Sequence, residues 1–143
     1  MKFSQLLFAA ALAAATVSAP LSAFADGKVE GLWRLDVAAT VAAAKASGQM
    51  PPEALQKMEA DLTGMGQGFS LSFTGHRLQA VAGPSTTNCS WTWADDYVIP
   101  SKCIDQKGKE NDLDPEKQAI RFLGKEIHLI DKPSGLALIL RRG

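Results

Sequence analysis

From Phe69 onward the apolar residues recur at every second position, in short runs broken by turn formers, and no other feature limits the fold so sharply. Phe69, Leu71 and Phe73 alternate with Ser70, Ser72 and Thr74. That period of two describes a strand with one buried face. Gly75-His76 turns the chain and residues 78–82 return. After Gly83-Pro84, the residues Cys89, Trp91 and Trp93 share a face. Asp95-Asp96 reads as the next turn, followed by strands over 97–103, 118–123, 126–130 and 136–142. Gly124-Lys125 and Pro133-Ser134-Gly135 supply the last turns. Seven consecutive strands with mostly short connections are antiparallel, because a parallel neighbour needs a long crossover.

The segment before this run is different. Residues 29–35 alternate, with Val29, Gly31, Trp33 and Leu35 on one face. Asp36 then reads as a helix N-cap, and Val37, Val41 and Ala44 recur at helical spacing until Gly48. Pro51-Pro52-Glu53 opens a second helix whose apolar stripe is Leu55, Met58, Leu62 and Met65. The fold class is therefore α+β and mostly β. About eight antiparallel strands form a meander curled into a barrel or half-barrel, with a two-helix insertion between strands 1 and 2. Closure is favoured because it removes exposed edges.

Residues 1–25 have the make-up of a secretory signal peptide. Lys2 precedes an apolar run from Leu6 to Val17, and Ala23-Phe24-Ala25 offers the small residues a signal peptidase accepts. Residues 26–143 then form a single domain, expected in the periplasm or secreted, with no membrane anchor after cleavage. Basic and acidic side chains balance at 15 each, which makes nucleic acid a poor partner. In an oxidising compartment the two cysteines, Cys89 and Cys103, are expected to form a disulfide worth about 3 kcal/mol. A turn centred on Asp96 sets Cys89 opposite Cys103, Trp91 opposite Ser101 and Trp93 opposite Ile99. Pro100 lacks a ladder donor and marks its strand as an edge or irregular.

Gly31-Leu32-Trp33 on the first strand resembles the Gly-x-Trp signature of the lipocalins and their calycin relatives. In that family the Trp closes one end of the barrel, and an Arg from the last strand packs across it. Arg142 shares a face with Leu138 and Leu140 and is the better counterpart than Arg141. The helix pair after strand 1 resembles the portal of fatty-acid-binding proteins. The resemblance implies a lipocalin-like domain that holds a small apolar ligand beneath the helices.

The residues offer little catalytic chemistry. His76 falls in a turn, and His128 lies on the outer face of its strand beside Glu126. No Gly-x-Ser-x-Gly segment occurs. The chain is expected to be no enzyme and to carry no cofactor. Met58 and Met65 lie on an apolar helix stripe, so core packing is the simpler use for them than copper. Acidic residues between Asp105 and Glu116 lack the spacing of a calcium loop. The three tryptophans are inward-facing and either fill the barrel or line a pocket. A pocket would use Trp33, Leu71, Phe73, Trp91, Trp93, Phe122 and Arg142 against an apolar small molecule. The rival reading is a periplasmic inhibitor of the lysozyme-inhibitor type, touching a partner protein through the hairpin tip Asp95, Asp96 and Tyr97.

Overall fold

A computed structural model describes residues 28–143, so the expected leader at 1–25 lies outside the described residues. Among the described residues eight strands form one closed barrel. They are β1 (Gly31–Leu35), β2 (Phe69–Thr74), β3 (Arg77–Ala82), β4 (Ser85–Ala94), β5 (Tyr97–Asp105), β6 (Gln118–Phe122), β7 (Ile127–Asp131) and β8 (Ala137–Arg142). Each pairs antiparallel with its neighbours in sequence, and β1 pairs with β8 to close the ring. Two helices, α1 (Val37–Ser47) and α2 (Pro52–Met65), stand between β1 and β2. The expected class is the observed one, with the barrel fully closed.

Local chemistry sets the helix ends where the sequence places them. The Asp36 carboxylate accepts the Ala39 N–H at 2.9 Å, and Gly48 ends α1 in the left-handed region at φ 69°. Pro52 occupies the first turn of α2. The expected stripe of α2 is only partly core: Leu62 is buried, whereas Met65 is 37% exposed.

The β4–β5 hairpin departs from the expected register. Asp95 adopts φ 55°, and a two-residue Asp95-Asp96 turn pairs Ala94 with Tyr97. Trp91 consequently faces Pro100 rather than Ser101, and Trp93 faces Val98 rather than Ile99. A bulge then corrects the slip. Ser90 pairs with Ser101 but Asn88 pairs with Ile104, so β5 holds an extra residue there, where Lys102 has φ 52°. Beyond the bulge Cys89 meets Cys103, and the two form the expected disulfide.

Two seams of the barrel are short, both toward the end where β1 leads into α1. β5 pairs with β6 only at Tyr97–Arg121 and Val98–Ile120. Past Pro100, a strap of residues 106–117 replaces the ladder. Its Asn111 N–H donates to the Cys103 carbonyl at 2.9 Å, and the Asp112 carboxylate accepts the Cys103 N–H at 2.8 Å. At the other seam β1 stops pairing with β8 after Leu35–Leu140. The start of α1 takes over: Asp36 N–H donates to the Ile139 carbonyl at 2.8 Å, and the Thr40 hydroxyl accepts the Ile139 N–H at 2.9 Å. That hydroxyl donates in turn to the Asp36 carbonyl at 2.8 Å. Thr40 is fully buried, so it satisfies a strand edge that no strand covers.

Replacing Thr40 tests this seam. Thr40→Val keeps the shape but strands the buried Ile139 N–H, and should cost about 1–3 kcal/mol in urea unfolding. Thr40→Ser keeps the hydroxyl and should recover most of that loss.

Candidate functional site

The interior of the barrel divides into two levels. At the end where β1 begins and β2, β4 and β6 finish, aromatic rings fill the space. Phe73 meets Trp91 at 5.4 Å between centroids, Trp91 meets Trp93 at 5.1 Å, Trp93 meets Phe122 at 5.7 Å, and Phe122 meets Trp33 at 5.9 Å. All four are edge-on contacts, the arrangement that the ring quadrupoles favour, worth about 0.5–1.5 kcal/mol each beyond their burial. Buried indole N–H groups are satisfied: Trp33 donates to the Val29 carbonyl at 2.7 Å, and Trp91 to the Gly75 carbonyl at 2.9 Å.

Arg142 closes this end. Trp33 and Arg142 are paired across the β1–β8 seam, and the guanidinium carbon lies 4.5 Å from the Trp33 ring centroid. Arg142 also donates to the Glu30 carbonyl at 2.7 Å and to the Lys28 carbonyl. Gly31 leaves room for it. A Cβ there would stand 3.3 Å from the Arg142 Nη1, and the backbone has φ 117°, a region glycine enters freely.

At the other level lies a cavity of about 850 Å³, within the range of roughly 300–1,000 Å³ usual for small-molecule sites. Phe69, Leu71, Leu78, Ile120, Leu129 and Leu138 form its apolar wall, with the Cys89–Cys103 bridge set into one side. No charged side chain interrupts this inner wall among the residues that line the cavity; the charged ones are Asp112, Asp114, Lys117 and Asp131. Those four sit on the strap and at the end of β7 and are exposed, which places the mouth at the end of the barrel that the strap spans. From the helix pair only Met58 of α2 touches the cavity, so the expected helical lid is mostly a strap of loop.

The residues singled out from sequence therefore separate. Leu71 lines the cavity, whereas Trp33, Phe73, Trp91, Trp93 and Phe122 form the packed aromatic end and Arg142 covers it. Phe69, Leu78, Ile120, Leu129 and Leu138 were not singled out, although strand alternation places each on an inward face. Leu113, on the strap, packs against the core and had no periodic signal at all.

At the hairpin tip, Asp95 is exposed. Asp96 is engaged within the chain: its carboxylate accepts Arg121 Nε at 2.7 Å. The hydrogen bond from Arg121 holds the Asp96 carboxyl below its usual pKa. Arg121 also lies 5.7 Å over the Tyr97 ring. On the same outer face, where His128 of β7 pairs with Arg121 of β6, Glu126 binds Arg141 at 2.7 Å and His128 at 3.1 Å, and Arg141 reaches the Asp36 carboxylate at 3.5 Å. This group ties the start of β7 to the end of β8 and to the cap of α1. Among the described residues, no three His, Cys, Asp or Glu side chains gather as a metal-holding group. Nor is any described helix long and apolar enough to cross a membrane.

No protein-family profile matches the chain. No curated protein matches it either. Among solved structures, a DUF4847 family protein from Bacteroides vulgatus is similar at a TM-score of 0.48 and 8% identity, over 80% of this chain and 93% of that one.

The outer ionic group sets a pH dependence. The Arg141 hydrogen bond first, and the His128 bond second, lower the Glu126 pKa. A carboxylate whose pKa is depressed by folding stabilises above its unfolded value of about 4.3, and that stabilisation fades as pH falls through the lowered value. Glu126→Gln should thus be less stable than the parent near pH 7, with the two urea midpoints converging as the solution is taken well below about pH 4.

Proposed function

We propose that the protein is an exported, non-enzymatic carrier of an apolar small molecule, held in the apolar cavity of a calycin-like barrel. The observation that carries this reading is the 850 Å³ space itself, apolar within and charged only at its mouth. Burial of an apolar guest against such a wall yields about 25 cal/mol per Å² removed from water, while a polar mouth keeps the guest's exposed end solvated. The aromatic end supplies a rigid floor rather than the binding surface. Arg142 over Trp33, with Gly31 making space beneath it, is the arrangement that the Gly-x-Trp resemblance implies, and it supports the calycin reading. The disulfide and the signal-like leader support an oxidising, extracytoplasmic location.

A titration with the neutral dye N-phenyl-1-naphthylamine tests the reading. Its emission should rise and shift to the blue at one dye per protein. Ala80, half-buried and on the cavity wall, is the place to fill the space. Ala80→Phe should weaken dye binding at least about tenfold, a change of roughly 1.4 kcal/mol, while keeping the β-sheet circular dichroism. Equal binding by the filled variant would place the dye elsewhere.

A further inference from the structure

Resting on the cavity as the ligand site, we infer that the ligand passes between β5 and β6, beneath the strap, with Leu113 as its stopper. The ring of strands leaves few alternatives. The β1–β2, β2–β3, β3–β4, β6–β7 and β7–β8 seams are continuous ladders of four to six residue pairs. The β4–β5 seam is a long ladder with a disulfide across it. The β1–β8 seam is short, but buried Thr40 and Asp36 bind both backbone groups of Ile139 there. The helix pair contributes Met58 alone to the cavity surface. The β5–β6 seam differs from all of these. Past Val98–Ile120 no ladder joins the two strands, and the wall is the strap.

The strap is fastened to the barrel on either side of Leu113, and at its start the Gln106 side chain accepts the Thr86 N–H at 3.0 Å. Toward β5 it is held by Asn111 and Asp112, which grip the two backbone groups of Cys103. Toward the β7–β8 turn it is held by Lys132, whose N–H donates to the Lys117 carbonyl at 2.8 Å and whose ammonium donates to the Pro115 carbonyl at 2.6 Å. Between these anchors, Leu113 reaches the core through its side chain alone among the bonds described. Lifting Leu113 widens the mouth without breaking any strand pairing. A ladder seam would have to lose several coupled hydrogen bonds to do the same.

Stopped-flow mixing with N-phenyl-1-naphthylamine reads the route. Leu113→Ala should raise both the association and the dissociation rate, by about tenfold each, with a smaller change in affinity. Asp112→Ala, which frees one anchor, should act in the same direction. Asp112→Asn retains an oxygen that accepts the Cys103 N–H and should return the rates to the parental values. Leu62→Ala loosens buried packing of α2 away from the cavity and should leave the association rate within about twofold. If the dye binds while both strap variants keep parental rates, or if Leu62→Ala alone quickens uptake, the route is wrong and the cavity reading stands. If the parent protein binds no dye, both fall together.

Discussion

The contact on which the barrel turns is the one between Trp33 and Arg142, where the first strand meets the last. A closed sheet has to bring its two ends together across the greatest separation in sequence, and the loop entropy of that step is lost before any contact offsets it. Here the closing pair is also a stacking pair, with the guanidinium over the indole and its donors on the carbonyls of Lys28 and Glu30. The segment before β1 is thereby folded over the barrel end, which lets the Val29 carbonyl accept the Trp33 N–H. Gly31 is part of the same device, since a side chain there would crowd the arginine. From Trp33 the edge-on contacts run ring to ring as far as Phe73, so that one end of the barrel is fixed by aromatic packing.

With one end filled by rings, the strands contribute mostly smaller side chains at the other, Phe69 apart. On β2, Phe73 belongs to the aromatic end and Leu71 to the cavity; on β4, Trp91 and Cys89 divide in the same way; on β6, Phe122 and Ile120 do. Each pair is two residues apart on one face, a step of about 6.6 Å along the strand. Alternation tells which way a side chain points and is silent on its height along the barrel axis. The sequence was therefore enough to name the inward residues, and to recover strands, turns, helix caps and the Cys89–Cys103 pairing. It was not enough to say which inward residues surround space and which fill it. Height depends on the stagger between strands, and stagger is a property of the closed ring.

The β4–β5 hairpin shows a second limit. The one-residue slip at the tip comes from Asp95 accepting a left-handed backbone, and the compensating bulge from Lys102 doing so. Neither position is glycine, the residue whose presence signals such a conformation. The disulfide nevertheless forms where the simple count put it, because the two irregularities cancel before the cysteines are reached. The bulge has a structural consequence beyond register. It sits next to Cys103, the residue whose backbone holds Asn111 and Asp112. The irregularity in β5, the covalent tie to β4 and the anchor of the strap thus occupy one short stretch of chain.

A cavity of this size raises an energetic question that the strap answers. Sealed apolar voids cost about 24 cal/mol per Å³ in core-truncation series, which for some 850 Å³ would amount to roughly 20 kcal/mol. Small domains have only about 5–15 kcal/mol of net stability, so a sealed space on that scale could not persist. The fold does not seal it. Two seams stop short of the mouth, the charged residues of the cavity gather there, and the wall on that side is loop rather than ladder. Solvent or a guest can therefore reach the apolar wall, and the penalty becomes one of hydrating aliphatic surface, which a guest of matching shape relieves. The same features that make the cavity tolerable make it accessible, and the aromatic floor holds the ring closed while the mouth is spanned by the strap rather than by a strand ladder.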